Sequence, residues 1–106
     1  MLTKKLIIAM MFILILAAGG VQAGGDAAKG AELAVDCADC HGDDAMGDED
    51  FPPLAGLEKE YLIAQMVAFQ SGERVDEDEM MADYVADLSE QDMADIAAYF
   101  VTLPAE

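Results

Sequence analysis

Apolar residues run unbroken from Leu6 to Ala18, and nowhere else in the 106-residue chain does a run last so long. Lys4 and Lys5 precede it, Gly19 and Gly20 follow it, and Val21-Gln22-Ala23 offers the small residues of a signal-peptidase site. This layout is that of a secretory signal peptide over residues 1–23, cut near Ala23. The run falls short of the ~20 residues a spanning helix needs. The competing reading, an uncleaved anchor, would have to bring Gly19, Gly20 and Gln22 into the membrane. Residues 24–106 remain as one domain with a thin core.

Beyond the leader the pattern turns helical. Alanines at 27, 28, 31, 34 and 38 favour a first helix over about Asp26–Asp39, with Asp26 as its cap. Gly42 to Gly56 carries Pro52-Pro53 and reads as a loop. Leu62, Met66 and Phe69 share one face of a second helix over about Leu57–Ser71, which Gly72 stops. A second loop, Gly72 to Met81, is acidic and ends in Met80-Met81. Ser89, with Asp92 three residues on, opens a third helix; Met93, Ile96, Ala97 and Phe100 form its apolar face and Pro104 ends it. No stretch alternates as a strand would, so the fold class is all-α.

One pentapeptide holds the distinctive chemistry. Cys37-Ala38-Asp39-Cys40-His41 contains both cysteines and the one histidine of the chain. Cys-x-x-Cys-His is the attachment sequence of a c-type haem. Cysteines three apart on a helical turn lie on one side, where both can bond the vinyl groups of one porphyrin. The adjacent imidazole then reaches the iron. Zinc would need about four ligands and finds three. A thioredoxin-like dithiol needs a βαβ pattern that is missing. A disulfide over so short a loop would add little stability. Export agrees with this chemistry, since free thiols outside the cytoplasm otherwise oxidise. A covalently held haem also adds apolar volume that a small core lacks.

The second iron ligand is not a histidine of this chain, because His41 is alone. Of eight methionines, Met1, Met10 and Met11 leave with the leader. Met46 lies close to His41 in sequence, and Met66 and Met93 sit on apolar helix faces, where methionine is commonly core filler. Met80 and Met81 remain.

Charge narrows the partners. The chain carries −17 overall, and its mature part sets only Lys29, Lys59 and Arg74 against 22 acids. Nucleic acid and anionic membranes do not suit such a surface. The acids occur in every mature segment, which favours a solvated surface suited to saline or acidic surroundings over one docking patch for a basic partner. The 55% hydrophobic content is inflated by the leader and gives no reason to place the mature chain in a membrane.

These residues resemble the class I cytochromes c, in particular small bacterial monohaem forms and single domains of periplasmic dihaem cytochromes c. The resemblance rests on Gly30, then Cys37 to Gly42, Phe51-Pro52-Pro53-Leu54-Ala55-Gly56, Tyr61-Leu62 and Gln65-Met66. It continues through Phe69-Gln70-Ser71-Gly72-Glu73-Arg74, Met80-Met81, Leu88-Ser89-Glu90-Gln91-Asp92 and Ala97-Ala98-Tyr99-Phe100. It implies a cytochrome c fold, three main helices with two loops wrapped around one haem attached through Cys37 and Cys40. It further implies His41 and Met81 as iron ligands and a hydrogen bond from His41 to the Pro52 carbonyl. Arg74 is expected to pair with a haem propionate, and Gly30 to lie where the first and last helices cross, beside Tyr99. The acidic run Asp76-Glu77-Asp78-Glu79 departs from the family's usual docking face. The implied function is that of a soluble periplasmic electron carrier and not an enzyme, working between redox partner proteins. A haem subunit bound to a dehydrogenase or oxidase is the first alternative, and a ligand-binding haem sensor the second.

Overall fold

The computed structural model describes residues 24–105, so the expected leader over residues 1–23 lies outside the described residues. Five helices follow one another: α1 Ala27–Leu33, α2 Val35–His41, α3 Lys59–Ser71, α4 Met80–Val85 and α5 Glu90–Phe100. Among the described residues there is no strand.

The first expected helix is present in two pieces. Asp26 caps it as anticipated, accepting from the backbone N–H of Ala28 at 3.0 Å and of Lys29 at 3.3 Å. The helix breaks at Ala34, where ψ flattens to 1°. The hydrogen bonds Ala34 N–H to Gly30 O and Ala38 N–H to Ala34 O, at 2.8 and 3.1 Å, carry the direction across the break. The second piece then runs two residues past the expected end, through Cys40 and His41. Gly42, at φ 92°, turns the chain away.

The second expected helix starts at Lys59, two residues late, and ends at Gly72 in the left-handed region as anticipated. One correction concerns Met80-Met81. They do not end a loop but open the short helix α4. Six residues are too few for a hydrophobic period to reveal, and the element depends on a cap described below. The last helix has the expected capping box, with Ser89 and Asp92 exchanging bonds of 3.0 Å.

α5 is the centre of the molecule. Met93, Ile96, Ala97 and Phe100 are all buried, and Leu62, Met66 and Phe69 of α3 pack with them. α1 crosses α5 at Gly30, where an added Cβ would overlap the Asp95 carbonyl and come within 2.9 Å of the Tyr99 Cβ. Only glycine lets the two backbones approach so closely. Asp95, 4% exposed, tightens the crossing: its carboxylate accepts from the Asp26 N–H at 2.8 Å and from Gln91 Nε2 at 2.9 Å.

The loop between α2 and α3 is ordered by its own bonds. Leu54 and Ala55 both donate to the Ala45 carbonyl, at 2.7 and 3.0 Å, and Gly47 donates to His41 O at 2.8 Å. Asp44 accepts from Met46 N–H, and Asp48 from the N–H groups of Asp50 and Phe51. These are the short-range turns that Asp side chains favour. The loop therefore holds Pro52 at a fixed place next to the end of α2.

Candidate functional site

α2 delivers three chemically active side chains in its last five residues. Cys37 and Cys40 are partly buried free thiols, and His41 is buried at 6% exposure. Burial, with the Asp36 carboxylate beside it, pushes the Cys37 thiol pKa up. The thiol is thus the resting form of that sulfur in the unbonded chain.

His41 is held in one orientation. Its Nδ1 lies 2.8 Å from the Pro52 carbonyl oxygen. A carbonyl can only accept, so Nδ1 carries the proton and donates. Nε2 is then the ring nitrogen left to bind a metal. Phe51 stands edge-on to the ring, with centroids 6.1 Å apart, and limits its rotation.

Of the two candidate methionines, Met81 is partly buried and packs on the core, while Met80 is 39% exposed. The main chain of this pair is held by Asp76, whose carboxylate accepts from Met80 N–H at 3.1 Å and Met81 N–H at 3.3 Å. Sequence reading counted Asp76 among solvated acids and missed this contact. The signal that would have found it is an Asp just ahead of a short run with helix-forming residues. Arg74 is exposed, and its side-chain partners come from α3. Nη1 donates to Gln65 Oε1 at 2.6 Å, and the guanidinium lies 4.7 Å above the Phe69 ring.

The donor set suits a haem: two thiols with the right spacing, an imidazole with Nε2 free, and a thioether. Half-buried Cys37, Met46, Leu54, Leu57, Ile63, Met81 and Leu88 pack on the core and keep part of their apolar surface uncovered. Such a surface suits the faces of a porphyrin. Among the described residues no three His, Cys, Asp or Glu side chains converge to hold a bare metal ion.

Residues 27–104 match the family model for cytochrome c. The chain belongs to the cytochrome c family. It is 40% identical over 100 residues to a cytochrome c4 of Pseudomonas aeruginosa, covering 93% of this chain and 48% of that protein. It is 43% identical over 89 residues to cytochrome c-554(547) of Halothiobacillus neapolitanus, covering 74% of this chain and 98% of that one. It therefore spans about half of the first relative and nearly all of the second. A thiosulfate dehydrogenase structure from Marichromatium purpuratum superposes with a TM-score of 0.71 at 33% identity, over 82% of this chain and 21% of that one.

The five helices and their connecting loops are thus a cytochrome c fold. As in the family, one haem c is carried covalently on Cys37 and Cys40. This cytochrome c has no helix, among the described residues, long and apolar enough to cross a membrane.

Proposed function

We propose that residues 24–106, exported and freed of the leader, act as a soluble periplasmic electron carrier with His41 and Met81 as iron ligands. The observation that carries this reading is the 2.8 Å bond from His41 Nδ1 to Pro52 O, which prepares Nε2 as a ligand. Bound haem c supplies a reversible one-electron iron couple. Cys37 and Cys40 secure it so that it is not lost in a dilute compartment. Pro52 and Phe51 keep the imidazole from turning. Met81 would offer a soft sulfur, different in chemistry from the His41 imidazole, and the two together would hold the iron against substrate or oxygen. Half-buried Leu54, Leu57, Ile63 and Leu88 would shield the group from water, which would favour the reduced state. Arg74 is assigned to a haem propionate. His41, the one histidine of the chain, is engaged and so is not offered as a general base. The partners are redox proteins, a donor and an acceptor.

The likeness to a thiosulfate dehydrogenase structure favours one second reading, a haem subunit that stays bound to a dehydrogenase. Size-exclusion chromatography of a native periplasmic extract separates the two. A carrier elutes at the size of the single mature chain, and a subunit elutes with its enzyme.

The direct test is an optical spectrum of the exported protein in both redox states, together with acid–acetone extraction. Thioether-bound haem stays with the polypeptide, and a weak far-red band in the oxidised protein reports the methionine sulfur. Freely extracted haem, or no far-red band, refutes the reading. N-terminal sequencing that begins at Gly24 checks the cleavage.

A further inference from the structure

Met80 and Met81 are neighbours on a helix, so their side chains leave the axis about 100° apart, given 3.6 residues per turn. A small rotation of this turn would present the wrong sulfur. What holds it is visible just upstream. In the run Asp76-Glu77-Asp78-Glu79, Asp76 alone is half-buried and the other three are exposed. The chain folds back on itself there, with Glu79 N–H donating to Asp76 O at 3.0 Å. Glu79 sits in the left-handed region at φ 57°, which a glutamate rarely adopts. The result is that both carboxylate oxygens face the start of α4. Oδ2 accepts from Met80 N–H and Oδ1 from Met81 N–H, at 3.1 and 3.3 Å. Two bonds from one rigid group fix the turn against rotation, as one bond would not.

We propose that Asp76 is a positioning residue that selects Met81 over Met80 as the methionine offered to the iron. The proposal rests on Met81 being the ligand, as argued above. It assigns a second role to a residue that composition alone would place among solvated charges. The role is geometric: it needs two acceptor oxygens at the reach of an aspartate side chain.

Three substitutions separate these requirements in the haem-loaded protein. Asp76→Asn keeps the reach and one acceptor, removes the charge and turns an NH2 donor toward the other N–H. Asp76→Glu keeps the charge and moves the acceptor by one methylene. Asp76→Ala removes both. The readouts are the far-red band, the reduction potential and the rate of carbon monoxide binding to the reduced protein. Glu77→Gln, on the exposed neighbour, controls for charge. Losing a cap of this kind favours the detached state by about tenfold. Asp76→Ala, Asp76→Glu and Asp76→Asn should therefore bind carbon monoxide about tenfold faster and weaken the band. Glu77→Gln should stay within about twofold of the wild type on the same scale. If Asp76→Ala yields no holoprotein, the Asn and Glu proteins decide. Wild-type behaviour of either one overturns the proposal. A wild type without the far-red band overturns the Met81 ligation first, and this proposal with it.

Discussion

The His41–Pro52 pair shows how far a side chain's chemistry can be read before its surroundings are known. That His41 is the only imidazole, and that two cysteines precede it at the haem spacing, is local information and was plain in the chain. Which ring nitrogen is free is not local. It depends on a carbonyl eleven residues away, brought close by a loop that Ala45, Asp44 and Asp48 hold together. Pro52 came to notice only through resemblance, because nothing in a Pro-Pro pair signals where its carbonyl points. Arg74 is a second case. Its exposed guanidinium rests on Phe69 and Gln65, so the residue already has a structural use apart from any propionate. Arg74→Gln should lower stability by at most about 1 kcal/mol, as for exposed cation–π contacts and ion pairs. If Arg74 also pairs with a propionate as proposed, its loss favours the oxidised form, so the potential should fall and its pH dependence should change. A redox titration at several pH values checks this. A lower melting temperature with an unchanged potential confines Arg74 to Phe69 and Gln65.

Elements follow the same division. α3 and α5 were legible because each repeats apolar residues over two turns and ends in a recognisable cap or stop. α4 was not, because six residues cannot show a period and its stabilising acceptor lies outside it. That matters for the site, since α4 carries Met81. Met81→Ala should abolish the far-red band, lower the reduction potential and admit carbon monoxide to the reduced iron. Met80→Ala should keep the band, as Met80 is substantially exposed; a band lost from that variant would exchange the roles of the two residues. The α1–α5 crossing gives a separate expectation. At Gly30 the obstacle is the Asp95 main-chain carbonyl, which cannot swing aside as a side chain would. Gly30→Ala should therefore cost stability on the scale of core overpacking, about 1–3 kcal/mol, despite the better helix propensity of alanine. Urea denaturation of the holoprotein measures it. A neutral or stabilising result would mean that α1 can move off α5 without loss.

For the whole molecule the question is what so many acids are for. The aspartates and the glutamates divide the work. Asp26, Asp44, Asp48, Asp76, Asp92 and Asp95 each accept from a main-chain N–H. Among the described residues the glutamates are exposed instead. The shorter side chain reaches nearby backbone, while the longer one extends into solvent. Part of the negative charge is thus a by-product of turns and caps, and the remainder faces water. Lys29 and Glu32 form an exposed pair at 3.9 Å, worth little, and Lys29, Lys59 and Arg74 cannot neutralise the rest among the described residues. Self-repulsion should then dominate the response to salt. The screening length falls from about 10 Å at 0.1 M to about 3 Å at 1 M, which removes repulsion between separate surface acids but leaves the aspartate–backbone bonds in place. The melting temperature should rise steadily across that range of sodium chloride. Glu77→Gln should raise it at low salt and have little effect at high salt, whereas Asp48→Ala should lower it at every salt concentration because two N–H groups lose their acceptor. Electron transfer to a basic partner would slow over the same series, since steering weakens as charges are screened. The two measurements are independent. A flat or falling melting series would show that the exposed acids are not mutually destabilising. The surface charge would then have to be explained by what it docks against.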